Sequence, residues 1–462
     1  VRGRVVDRHG FTPNLRAKSR AVAFWGKDIA FLAENLARAL KASGVDVRDL
    51  TGPYDEGRSP AYPDFFSLRV LERKARALAH VLGHLESWPT VVAILRIFAA
   101  LARVAAGGIR ELSDLFTVLW IGVRFDTVVF LWKPSVSRHQ YEYRLLRWLG
   151  CRTVLVLLGS EARPPYLNGV FVESDPGHDS DVLLQMTSSR RKRLRRAESH
   201  VDFIVGFPGN AHFLSRPVID RELLGFPIAP VANPRIHGDS RNSEATIVLH
   251  APSRAAAKGT PKIVGILDTL EAEGQEFQRD ITYSWRPHQE VVAALGPSVI
   301  VVDQLYADVP GGVLAREAMA AGAVAVVGSP VARWLAQRYS GSDVALPVLV
   351  SPEGVEPALR ELLQDPSMMR QLGNQGRLAF QTTQSPKAIA ERWATVLFGV
   401  PGPDLFFDPL EIDVVVHGFA PTTTLCAATR RLIERHGVGA LGLDHNPLLR
   451  AAVVRFAKGD YP

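Results

Sequence analysis

Apolar and polar positions follow two rhythms along this chain. Short apolar runs, read as buried strands, alternate with stretches in which apolar residues recur every three or four positions, read as amphipathic helices. Residues 21–25 form one such run and end at Gly26. Ile29, Leu32, Ala33, Leu36, Ala37 and Leu40 then share one helical face, and Gly44 stops that helix. Strand, glycine turn and amphipathic helix make the opening unit of a doubly wound sheet. Residues 68–118 read as mostly helical. Strands are expected at 126–132, 152–158 and 201–207, with helices before Gly150 and over roughly 180–199.

A segment rich in proline and glycine, then in polar residues, spans 225–244 and reads as a domain boundary. A second alternating series follows it. Strands are expected around Thr246–Leu249, at 281–285, 298–305, 323–328 and 345–351. Helices are expected from Pro261, from His288, around Glu317, and at 355–364 and 386–398. The predicted fold is α/β: two Rossmann-like domains, 1–232 and 243–400, facing a ligand cleft, with a C-terminal extension at 401–462 whose pattern assigns it no role.

Composition narrows the function classes. A chain of 462 residues is too long for one ordinary core; 47% hydrophobic and 22% charged residues suit a globular protein. A net charge of +7 favours anionic partners, a nucleotide, a phospholipid surface or a nucleic acid, without choosing among them. Two cysteines, Cys151 and Cys426, offer neither a disulfide framework nor a zinc cluster, and point to a reducing, cytoplasmic compartment. The N-terminus has no apolar core of a signal peptide. The most apolar stretch, 90–107, is interrupted by Arg96 and Arg103, so a spanning helix is not expected.

Candidate chemistry concentrates in the second series. The strand ending at Leu249 delivers Arg254, Lys258 and Gly259 to the start of a helix, where free N–H groups and the positive helix end favour an anion. Further on, Gly311 and Gly312 let backbone N–H groups, with that of Val313, approach a ligand closely. Glu317 follows on a helix, where a carboxylate can accept from two vicinal hydroxyls of a ribose. Together these read as a nucleoside-diphosphate site. The base is expected near 282–285, which makes Tyr283 a candidate.

The strings HAPSRAAAKGT (250–260) and VVDQLYADVPGGVLAREAMAAG (301–322) resemble the donor domain of GT-B glycosyltransferases of the family-four (group 1) retaining type. The resemblance is good over about 245–400, weaker over 20–230 and absent over 401–462. It implies that Lys258 contacts the donor diphosphate, that Glu317 binds the ribose, and that Gly312 faces sugar and phosphate. It implies that Gly26 belongs to the first-domain glycine loop, and that Gly159, Glu161 and Arg163 lie on the sugar and acceptor side. The resemblance also implies hexosyl transfer from a UDP- or GDP-sugar to a glycan, lipid-linked or small-molecule acceptor. Retention, no metal and no further cofactor are expected. Lys258, Arg254 and Glu317 are the candidate catalytic residues. The chain departs from the family at three places. The first glutamate of the paired motif falls at Val309, the phosphate arginine at Ser253 with Arg254 next to it, and the active-site histidine at Leu158. A non-catalytic nucleotide-binding partner protein is the alternative.

Three other features carry less. Residues 179–181, Asp-Ser-Asp, imitate a metal motif but fit a helix cap better. His80 and His84 stand one turn apart without a third ligand. The basic run 190–196 reads as a solvated helix face. The rival reading docks it on the anionic inner face of a membrane, while nucleic acid is not expected, because no aromatics interleave it.

Overall fold

The computed structural model describes residues 21–28, 31–53, 111–132, 140–172, 180–229, 245–283 and 286–460. The expectations for the N-terminus, for 68–110 with the 90–107 stretch and the His80–His84 pair, for most of the 225–244 connector and for residues 284–285 lie outside them. The chain divides into two compact units interleaved along the sequence. One comprises Val1–Ile29, Val45–Val156 and Ser199–Phe203; the other comprises Ala30–Gly44, Leu157–Glu198 and Ile204–Pro462.

In the first unit, β1 (Ala21–Asp28), β2 (Asp46–Pro53), β3 (Thr127–Leu131) and β4 (Arg152–Val156) are parallel, in the order β2-β1-β3-β4. Every residue of β3 is buried, which is why its run is apolar throughout rather than alternating. Gly26 has φ +127°, and a Cβ there would lie 1.9 Å from the Leu131 carbonyl oxygen, so only glycine allows β3 to approach. Phe130 meets Tyr143 edge to face at 4.9 Å, fastening the Glu142–Trp148 helix to the sheet.

In the second unit, the end of β5 (Phe203–Gly206) pairs with β6 (Val218–Asp220). A separate five-stranded sheet holds β7 (Ile247–His250), β8 (Gln278–Ile281), β9 (Val299–Gln304), β10 (Val324–Gly328) and β11 (Val348–Val350). Its order is β8-β7-β9-β10-β11, all parallel. Alternate residues of its strands enter two cores. Val248, Ile300, Val302 and Val326 pack with Ile263 and Leu267 on one face; Leu249, Val301, Ala325 and Val327 pack with Ala315 and Met319 on the other. Helix cover on both faces is what an all-parallel sheet requires, so this is the α/β architecture that the alternating pattern predicts. The strand expected over 281–285 ends at Ile281.

Residues 401–460 belong to the second unit. β12 (Phe406–Phe407) adds an antiparallel edge to β6. The Tyr166 hydroxyl donates to the Leu441 carbonyl at 2.9 Å, and the Gly169 amide to the Gly418 carbonyl at 2.9 Å. A segment whose pattern assigns it no role therefore closes over residues 163–169.

Candidate functional site

The order of the five-stranded sheet changes direction between β7 and β9. Connections leave the two strands on opposite sides, opening a crevice at their carboxyl ends, where open α/β sheets bind ligands. Residues 251–259 follow β7 and residues 305–312 follow β9, so both sequence-predicted loops meet there.

The first loop contains a helical turn, Ala255–Lys258, which Gly259 ends in the left-handed conformation (φ +77°) before the Thr260–Ala272 helix begins. Lys258 therefore ends one short helix rather than starting the next, and its charge suits that end. A ladder of contacts holds it. His250 Nδ1 donates to the Val302 carbonyl at 2.7 Å, and its Nε2 accepts from the Thr260 hydroxyl at 2.8 Å. The Leu305 amide donates to the Lys258 carbonyl at 3.1 Å. Burial depresses the His250 pKa, so the imidazole is neutral and fits this donor–acceptor role.

Asp303, buried at the end of β9, joins the two loops. Lys258 Nζ donates to its Oδ1 at 3.2 Å, and the Gly312 amide donates to its Oδ2 at 3.0 Å. Gly312 is the N-cap of the Val313–Ala320 helix, which has no side-chain cap there. An ammonium, a loop amide and an uncapped helix start thus converge around one carboxylate. Gly311 is buried behind them, while Ser253 and Arg254 are exposed.

One turn along, Glu317 is buried, and its Oε1 accepts from His288 Nε2 at 2.8 Å. That bond is the main reason the His288 pKa is raised, with burial opposing it. Tyr283, just past β8, is exposed. Gly26 lies in the first unit, where its conformation is set by β3.

Gly159, Glu161 and Arg163 are turned inward. Glu161 accepts from the Gly159 amide at 2.8 Å and from the Leu158 amide, folding the loop around its own carboxylate. Burial pushes its pKa up against those bonds. Arg163 makes a two-pronged ion pair with Asp308, Nη2 to Oδ1 at 2.8 Å and Nε to Oδ2, and both side chains are buried. Its guanidinium lies between the rings of Phe207, at 5.1 Å, and Phe419, at 4.7 Å.

A second buried charge network adjoins this pair and was not singled out from sequence. Arg221 bonds Glu222 at 2.8 Å and the Leu158 carbonyl at 2.9 Å, and its guanidinium lies 4.6 Å from the centre of the Phe207 ring. Glu222 also holds Arg316, the neighbour of Glu317. Burial opposes ionisation of Glu222, but Arg316 and Arg221 keep its pKa below the usual range. The only sequence signal was the string Asp220, Arg221, Glu222 opening a helix, which reads as ordinary capping.

The basic run is mostly engaged. Arg190 donates to the Arg163 carbonyl, Arg193 to the Glu161 carbonyl at 3.0 Å, and Arg195 pairs with Glu198 at 3.0 Å; Lys192 is exposed. Ser180 opens the Ser180–Glu198 helix. Among the described residues, no group of three or more His, Cys, Asp or Glu is placed to hold a metal ion, and no helix is long and apolar enough to cross a membrane.

No protein-family profile matches the chain, and no curated protein matches it in sequence. Solved structures to which it is loosely similar include the following three. The glycotransferase of kitacinnamycin has 12% identity and a TM-score of 0.39, over 82% of this chain and 100% of that one. WaaG, a glycosyltransferase involved in lipopolysaccharide biosynthesis, has 13% identity and a TM-score of 0.36, over 82% and 100%. The catalytic domain of starch synthase IV from Arabidopsis thaliana, bound to ADP and acarbose, has 10% identity and a TM-score of 0.40, over 81% and 100%. Likeness at this level assigns neither a family nor an activity.

Proposed function

We propose that the chain is a GT-B glycosyltransferase. It moves a hexosyl group from a UDP- or GDP-sugar to a glycan, lipid-linked or small-molecule acceptor, with retention and without a metal. Residues 243–400 serve the donor, 1–232 the acceptor side, and 401–462 form an extension. The supporting observation is the convergence of Lys258 Nζ and the Gly312 amide, 3.2 and 3.0 Å from the two oxygens of one carboxylate, at the carboxyl ends of β7 and β9. Donors so arranged around an anionic group suit a diphosphate, and Glu317 stands one helical turn away for a ribose.

In the transfer, the bond from the anomeric carbon to the diphosphate breaks and negative charge grows on the leaving oxygen. Lys258, the amides of Gly312 and Val313, and Arg254 from the loop stabilise that charge. The leaving phosphate takes the acceptor proton as the acceptor oxygen bonds the same face of the sugar. Gly311 and Gly259 permit close backbone approach, Tyr283 and Ser253 flank the nucleotide, and Gly26 and the Gly159–Arg163 loop serve the sugar side. The work takes place in the cytoplasm, with the exposed Lys192 of the 190–196 run turned to an anionic membrane face.

A thermal-shift screen with UDP, GDP, ADP and CMP on the native protein and on Glu317→Ala tests this. Stabilisation by one diphosphate that is lost in the variant supports the site; no shift with any of them counts against it. The second reading, a nucleotide-binding partner without turnover, is favoured by Val309, Ser253 and Leu158 at family positions and by the inward Glu161 carboxylate. It predicts binding without donor hydrolysis or transfer.

A further inference from the structure

We propose that His288 is a displaceable cover over Glu317, so that a nucleoside reaches the carboxylate only by opening the His288–Glu317 bond. This rests on the nucleotide-site reading above and adds a residue to it. Glu317 is 2% exposed and Oε1 is taken by the imidazole at 2.8 Å, whereas the His288 side chain is 36% exposed. The buried partner is the one expected to bind hydroxyls, and the half-exposed partner is the one able to move. His288 is the first residue of the His288–Ala293 helix, after Pro287, so its side chain swings at a helix end rather than inside a packed face. Phe31, itself 49% exposed and in the left-handed conformation (φ 59°), places its ring 5.3 Å from the imidazole and gives it an apolar surface to rest on.

The charged groups around the pair are otherwise committed. Arg286 bonds Asp280 at 2.9 Å and approaches Glu290 at 3.9 Å. Glu34, on the helix that follows Phe31, pairs with Arg38 at 2.7 Å, and Lys258 pairs with Asp303. Glu317 is therefore the acid that acts on His288, in line with the raised pKa of the imidazole. The protonated pair is the closed form. A ligand that opens it returns His288 toward its ordinary pKa and releases a proton, so affinity rises with pH through the folded pKa.

The test is titration of the native protein, His288→Ala and His288→Gln with UDP, GDP and ADP between about pH 5.5 and pH 8. Comparing proteins at each pH cancels the ligand's own ionisation. The native protein is expected to lose about fivefold to tenfold more affinity than either variant on acidification, with His288→Ala binding more tightly than native at the acid end. His288→Gln, which keeps a neutral donor, is expected to match native at high pH. Weaker binding by His288→Ala, by one factor at every pH, would make His288 a ligand contact and overturn the cover while leaving the nucleotide site standing. No binding by any of the three proteins would overturn both. The imidazole titration followed by NMR, expected to fall toward the ordinary value in Glu317→Gln, separates loss of the pair from loss of the ligand.

Discussion

Asp303 bridges Lys258 and Gly312. Its two carboxylate oxygens accept from the Lys258 ammonium at 3.2 Å and from the Gly312 amide at 3.0 Å, so one buried acid sets the spacing of two loops that leave different strands. Lys258→Ala removes the charge and is expected to weaken nucleoside diphosphate binding by about 10- to 100-fold, the scale of a charge-assisted hydrogen bond. Asp303→Ala leaves the ammonium in place but unsteered, and is expected to cost less. The double variant should cost less than the sum of the two single losses, because Asp303 acts partly through the lysine and partly through the Gly312 amide. Additive losses in calorimetric titrations would show that the two residues act separately.

Arg163 and Asp308 pose a stability question. Both are buried, and the Arg163 guanidinium lies against the rings of Phe207 and Phe419. Replacing one partner strands the other charge away from water, at a cost of about 3–5 kcal/mol. Arg163→Met and Asp308→Ala are each expected to lower unfolding free energy on that scale in urea, whereas the double variant should recover part of the loss. Single variants within about 0.5 kcal/mol of native would mean that water reaches the pair.

The elements of the five-stranded sheet were legible because their signals are local. The strands expected at 298–305 and 323–328, largely apolar, are buried over 299–304 and 324–328, and Gly259 and Gly312 marked the loop ends. What sequence could not supply was partnership. Nothing in the sequence pairs Lys258 with Asp303, 45 positions away, or Arg163 with Asp308, 145 positions away. The same holds for 401–460, whose contact with Tyr166 spans 275 positions and leaves no periodic trace. The helical turn at Ala255–Lys258 was missed because alanines followed by a glycine suit either a loop or a turn.

Acid should destabilise the fold through its histidines. His212 is fully buried, and its pKa is pushed down to about 3, chiefly by burial, with the Gly209 backbone opposing the shift. Burial also lowers His417 and His250. These side chains stay neutral in the fold but take up protons in the unfolded chain near its ordinary pKa. The unfolded state therefore binds more protons, and stability present above about pH 6.5 is lost as pH falls toward about 3, with His212 alone contributing up to ~1.4 kcal/mol per pH unit. Urea midpoints between pH 7.5 and 4.5 should fall steeply in the native protein and less steeply in His212→Leu. Parallel curves would show that His212 does not resist protonation.

Gly26 separates a folding role from a binding one. Resemblance makes it part of a ligand loop, but its backbone sits at φ +127° with the Leu131 carbonyl oxygen 1.9 Å from where a Cβ would lie. The obstacle is backbone of the paired strand β3, which cannot give way as a side chain tip can. Gly44 is the natural control: it also has positive φ, +81°, but nothing lies within 4 Å of its Cβ position. Gly44→Ala should therefore cost about 1 kcal/mol, the strain of the conformation alone. Gly26→Ala carries that strain plus the separation of two central strands and should exceed it by about 2 kcal/mol or more. Equal losses in denaturant unfolding would mean that β1 and β3 part easily at Leu131, and the requirement for glycine would then have to come from a ligand.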